Sequence, residues 1–145
     1  MIAVDTNVLV YARRRTAPQH GAALKLLHDL ATGSAPWALP HPCIAEFLRV
    51  VTHNVFRPVV PLAEAWHNVE TLLASPSLHV LTPTERHVPL LREIMEESGA
   101  TGNLVYDAQI ATLCLEHGVR EILTADKDFR RFPSIKATDP FARRN

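Results

Sequence analysis

The chain has no stretch near the ~18 consecutive apolar residues that a membrane helix needs, and no excess of either charge. Fifteen basic residues balance fifteen acidic ones in 145. A broad electrostatic grip on nucleic acid is therefore not indicated, which leaves local patches at Arg13 to Arg15, Arg130 with Arg131, and Arg143 with Arg144. Cysteine is scarce. Cys43 and Cys114 have apolar neighbours and no CxxC spacing, which suits small buried hydrophobes in a reducing compartment. The eight histidines are scattered and form no HExxH pair, so a zinc site is not indicated. Repeats, low-complexity tracts and linkers are missing. The start lacks a basic segment, and Asp5 interrupts the first apolar run, so no secretory signal is read. The expectation is a cytoplasmic protein without membrane association, with residues 1–145 forming a single domain.

What is present is an alternation of short apolar runs with helical patterns. Apolar residues make up 47% and charged residues 21%, the balance of a globular chain with a real core. Ile2 to Val4 reads as a strand buried on both faces, with Thr6 or Asn7 capping a helix after it. Helices are predicted over Pro18 to Thr32, Pro42 to Asn54, Leu62 to Ala74, Thr84 to Ser98 and Leu104 to His117, several of them closed by glycine. Strands are predicted in "PWALP", at Leu78 to Leu81, at Arg120 to Ala125 and in "SIKAT". Strands alternating with helices predict an α/β sandwich around a mostly parallel sheet of four or five short strands.

The acids then acquire meaning. Ligands of open parallel sheets bind outside the carboxyl ends of the strands. Asp5 follows the first strand; Asp126 and Asp128 follow "ILTA". Asp is also an ordinary turn and cap residue. On the helix from Leu104, at about 100° per residue, Gln109, Thr112 and Glu116 fall at roughly 140°, 80° and 120° and form a polar face. Asp107 falls near 300°, between Cys114 and Ala111 on the apolar side. The helix N-terminus favours an anion there by only about 0.5 kcal/mol, so a cation or a hydrogen-bond partner is expected. Glu46 borders the stripe of Ile44, Phe47, Leu48 and Val51, a position open to a cleft wall or to plain surface. Carboxylates without accompanying His or Cys suit Mg²⁺ or Mn²⁺.

The segments "AVDTNVLVYA", "IAEFLRVVTH", "NLVYDAQIATLCLEHG" and "LTADKDFRRFP", in this order and spacing, resemble a PIN domain, and more specifically the VapC-type toxins of bacterial type II toxin–antitoxin pairs. The resemblance runs from Ile2 to about Pro140. It implies a three-layer PIN-like fold, typically dimeric, and an Mg²⁺- or Mn²⁺-dependent endoribonuclease that uses a metal-activated water. It also implies that Asp5, Glu46, Asp107 and Asp126 are the catalytic metal-site acids, with Asp128 accessory. Asn7 and Thr124 would orient the cluster. A small antitoxin protein that inserts a segment into the cleft is expected on the same ground. Arg13, Arg14, Arg130 and Arg131 are the candidate RNA-binding cations.

Rival readings fit less well. A non-catalytic PIN-like module binding RNA or protein would not need every principal acid. A receiver domain would want paired acids at the first strand end, and an aspartyl phosphatase would want DxD there. Asp5 is instead followed by Thr6 and Asn7. A structure-specific DNA nuclease would usually carry an added DNA-binding element.

Overall fold

The computed structural model describes residues 1–143; Arg144, part of the last basic patch, lies outside the described residues. Five short strands, β1 (Ile2–Val4), β2 (Trp37–Pro40), β3 (Leu78–Leu81), β4 (Glu121–Leu123) and β5 (Lys136–Thr138), pair in the order β3-β2-β1-β4-β5. Every pairing is parallel, so the sheet is wholly rather than mostly parallel. The central strands carry Ala3, Val4, Trp37, Ala38 and Ile122 with no exposed surface. Such runs suit strands covered on both faces.

Six helices connect them: α1 (Thr6–Tyr11), α2 (His20–Thr32), α3 (Pro42–Thr52), α4 (Leu62–Leu73), α5 (His87–Ser98) and α6 (Leu104–Glu116). A short 3-10 helix spans Lys127–Arg131 between β4 and β5. Strand order runs outward from β1 to β3, then reverses to β4 and β5. Right-handed crossovers therefore place α1 to α4 on one face and α5 with α6 on the other. The reversal makes a crevice at the carboxyl ends of β1 and β4, bridged where the Asp5 amide donates to the Leu123 carbonyl at 3.0 Å.

The helix starts need correction. The chain before α2 turns at Ala17 to Gln19, and the helix begins at His20 rather than Pro18. Thr84 to Arg86 form a turn, with the His87 amide on the Thr84 carbonyl, so α5 begins at His87. Neither Thr6 nor Asn7 caps α1; the Asp5 carboxylate does, accepting from the Thr6 amide at 2.8 Å. At the other end of α5, Gly99 sits at φ +69°, the left-handed stop that glycine makes without strain.

The larger correction concerns α6. Two of the three residues of its expected polar face are not on the surface. Thr112 has no exposed area and Glu116 has 4%. The Thr112 hydroxyl donates back to the Ala108 carbonyl. The Glu116 carboxylate accepts from the Thr84 amide at 3.1 Å and lies 3.0 Å from His87 Nδ1. Arg86 donates to the Glu116 carbonyl. The helix is covered on that side by α5, and Glu116 is buried in contact with His87 and the turn that precedes it. Helix α6 thus becomes a central beam, with Asp107 at the end nearest the crevice.

Candidate active site

The topology explains how separate segments meet. Asp5 leaves the carboxyl end of β1. Helix α3 starts at the carboxyl end of β2, so Glu46 lies in its second turn above the same edge. Helix α6 precedes β4 and runs back against it, so its first turn, with Asp107, reaches that edge too. Asp126 follows β4. Asp5, Glu46, Asp107 and Asp126 all line one cavity of about 260 Å³, together with Thr6, Asn7 and Arg14. Asp107, Asp126 and Asp128 each offer a carboxylate oxygen, and these three oxygens lie within 4.8 Å of one another.

A hydrogen-bond network fixes Asp5, Glu46 and Asp126 (Asp5 most firmly). One of its oxygens takes the Thr6 amide. The other accepts from Thr124 Oγ1 at 2.7 Å and Asn7 Nδ2 at 2.9 Å. Asn7 Nδ2 also donates to Thr124 Oγ1, and Asn7 Oδ1 accepts from the Ala125 amide. The Thr124 hydroxyl accepts in turn from the Asp126 amide at 3.0 Å. Thr124 and Asn7 therefore tie the ends of β1 and β4 together. Asp126 accepts from the Asp128 amide, which caps the 3-10 helix. Glu46 accepts from Thr6 Oγ1 at 3.1 Å. Thr6 reads in the sequence only as a cap residue; its place in "DTN" beside Asp5 was the available signal. The Cys43 thiol, 3.9 Å from Asp5, completes the floor.

These bonds favour the Asp5 anion, yet burial outweighs them. Burial, with smaller contributions from Glu46 and Asp126, pushes its carboxyl up to about 6. Among the described residues, Asp107 has no hydrogen bond to offset its environment. Burial, then repulsion from Asp126, Asp5, Asp128 and Glu46, raises it to about 7. Two carboxyls are thus held near neutrality by lack of solvent and by like charge. Burial also pushes the Cys43 thiol well above its ordinary value, and Cys114 up to about 12. Both are inert packing thiols.

The candidate cations separate. Arg14 lines the acidic cavity. Arg13 is engaged in an ion pair with Glu64 on α4. Arg130 and Arg131 are exposed on the 3-10 helix and do not line the cavity.

The fold is a parallel α/β sandwich with an acidic crevice at its switch point. The chain belongs to the PIN-domain family, whose model matches residues 2–135. Within that family it stands among the VapC ribonucleases. It is 38% identical to Ribonuclease VapC43 of Mycobacterium tuberculosis over 141 residues, 97% of this chain and 95% of the relative. It is 33% identical to Ribonuclease VapC25 of the same organism, over 97% of this chain and 99% of the relative. In fold it resembles VapBC2 of Rickettsia felis, solved with a promoter DNA fragment, at TM-score 0.65 and 20% identity, covering 95% of this chain and 98% of that one. It also resembles M. tuberculosis VapC20, described as a sarcin-ricin loop cleaving toxin, at TM-score 0.62 and 18% identity, covering 90% and 93%. No helix among the described residues is long and apolar enough to cross a membrane.

Proposed function

We propose that the acidic crevice is the catalytic centre of a metal-dependent endoribonuclease, the toxin of a type II toxin–antitoxin pair. One observation carries the reading. Asp5, Glu46, Asp107, Asp126 and Asp128 converge, and among the described residues no Lys or Arg nitrogen lies within 4.0 Å of any of their carboxylates. Repulsion of this kind is relieved either by protons or by a cation. The donor set, all carboxylate oxygen, fits Mg²⁺ or Mn²⁺. Asp5, Glu46, Asp107 and Asp126 would hold it, with Asp128 accessory.

When bound, such an ion supplies Lewis-acid stabilisation of phosphate charge and lowers the pKa of water. The chain's own part is positioning. Asn7 and Thr124 hold the Asp5 carboxylate and carry its orientation to Asp126. Thr6 holds Glu46. Val10, Tyr11 and Val50 give the cavity an apolar wall, which limits competing water and strengthens its electrostatics. Cys43, buried and un-ionised, is no nucleophile, so hydrolysis by water fits best. Arg14 lines the acidic cavity on the side from which an RNA strand would reach the acids, and Arg130 and Arg131 add charge beyond the cavity edge.

Regulation by a small cognate antitoxin belongs to the same proposal. Several fold neighbours were solved as two-component complexes named VapBC and FitAB, and an acidic, cation-poor crevice is complementary to an inserted Arg. Homodimerisation is proposed likewise; α4 exposes Leu62, Trp66 and Leu73 as apolar surface. The test is incubation of total cellular RNA with purified, antitoxin-free protein in Mg²⁺, Mn²⁺ or EDTA, with Asp5→Asn and Asp107→Asn alongside. Discrete, metal-dependent cuts lost in both variants are expected. Absence of cleavage by folded wild-type protein in either metal would favour the non-catalytic PIN-like binding module instead.

A further inference from the structure

A second cavity, of about 240 Å³, adjoins the acidic one and shares Arg14 and Val50 with it. Its other lining residues are Arg49, His53, Val55 and Phe56. The sign of the lining inverts across that common wall. The first cavity is lined by four carboxylates, the second by two arginines and a histidine with no acid. Neither Arg14 nor Arg49 is within 4.0 Å of a carboxylate among the described residues. Arg13, one residue away, does have such a partner. Arg49 also borders the groove shared by Glu46 and Asp107. Unpaired cations thus fringe the acids on the α3 side, in a chain whose total charge is zero.

The groups are arranged for a planar, anionic ligand. The Arg14 guanidinium lies over the Phe56 ring, 5.0 Å from its centroid. Phe56 is buried, so the ring backs the guanidinium on one side and leaves the opposite side to a base, while its N–H edge stays available to donate. His53 Nδ1 lies 3.1 Å from the Val55 amide and accepts from it. That bond fixes the neutral tautomer with its proton on Nε2, which leaves Nε2 as a donor. Val55 is 77% exposed and offers an apolar edge at the cavity mouth.

We propose that this cavity binds the nucleotide next to the cleaved bond of a single-stranded RNA, with Arg14 on its base and Arg49 and His53 on its phosphate. The inference rests on the nuclease reading, because that reading places the scissile phosphate at the acids, and the shared wall then puts the neighbouring nucleotide here. An acidic protein segment would also meet the two arginines, but it would not use the stacked guanidinium face or the continuity with the acids.

The test is fluorescence anisotropy of a short labelled single-stranded oligoribonucleotide of mixed sequence, titrated in Ca²⁺ at several salt concentrations, with its intactness checked on a gel. Arg49→Ala removes an exposed side chain and should leave the fold intact. It is expected to weaken binding about 5-fold and to make the salt dependence shallower by about 0.7 in log–log slope, one phosphate contact on a single strand. Arg14→Lys keeps the charge but loses the plane; it should weaken binding by a similar factor at unchanged slope. Arg120→Ala, before the amino end of β4, should match wild type. Unchanged affinity and slope in both variants, or no binding by wild type, overturns the inference. So does loss of binding to a polyglutamate peptide with RNA binding intact, which would assign the cavity to an acidic protein. The two readings separate cleanly. Wild type that cleaves RNA while both variants bind normally sinks the subsite alone. Wild type that binds through this cavity yet cleaves in neither Mg²⁺ nor Mn²⁺ sinks the nuclease alone.

Discussion

Asp107→Asn should make the metal-free protein more stable while making it inactive. Burial and four neighbouring carboxylates lift the Asp107 carboxyl from 3.8 to about 7. A carboxyl whose pKa is higher in the folded state than in the unfolded chain binds more protons when folded. Its stabilising contribution is fully present below about pH 4 and is lost as pH rises through 7. Above that, the anion is a burden on the fold. At 1.36 kcal/mol per pKa unit the full rise corresponds to a ceiling of about 4 kcal/mol. The side chain is partly exposed, and screening by water reduces the expected effect to about 1–2 kcal/mol. Asparagine keeps the shape and removes the charge. Urea denaturation in EDTA at pH 8 should therefore show the variant more stable by about that amount, with the advantage shrinking toward pH 5. In saturating Mg²⁺ the order should narrow or reverse, because wild type gains binding free energy that the variant has largely lost. A variant less stable than wild type in EDTA at pH 8, or a difference independent of pH, would refute the claim that the acids are mutually repelling in the absence of a cation.

Other expectations follow from particular contacts. Thr124→Val keeps the side-chain volume but removes the hydroxyl that links Asp5, Asn7 and Asp126; Mn²⁺ affinity by calorimetry should fall about 10-fold, and cleavage with it. Glu116→Ala leaves His87 and the Thr84 amide without their acceptor in the α5–α6 contact, and urea titration should show a loss of about 3 kcal/mol. Gly99→Ala forces a side chain into the left-handed backbone region; a loss of about 1 kcal/mol, with cleavage unchanged, is expected from melting and activity assays.

Much of this architecture was legible because punctuation and period agreed. Pro42 at the start of α3 and Gly99 after α5 stand where local chemistry puts helix ends, and Leu78–Leu81 is a strand at the predicted bounds. The rule that ligands gather at the carboxyl edge drew Asp5 and Asp126 together before any coordinates. Helix α6 was misread because a helical wheel assumes solvent opposite the core. Here α5 covers that side, and Glu116 is stabilised by His87, 29 positions away in sequence. Glu46 was ambiguous for the converse reason. A cleft wall and a surface border look alike in one dimension, and only the packing of α3 against α1 brings Thr6 to it. The basic cavity was illegible. No motif or spacing marks Arg49 or His53, and the contact of Arg14 with the Phe56 ring joins positions 42 apart.

If the converging acids hold a divalent ion for RNA hydrolysis, ion occupancy and cleavage must rise together. The most direct measurement is RNA cleavage rate as a function of Mn²⁺ concentration, on protein whose Mn²⁺ binding is followed in parallel by electron paramagnetic resonance, for wild type and Asp126→Asn. The expected result is no cleavage in EDTA, a rate that saturates over the same concentrations as binding, and weakening of both in the variant. Cleavage that persists in EDTA, or that survives in Asp126→Asn while Mn²⁺ binding is lost, would contradict it.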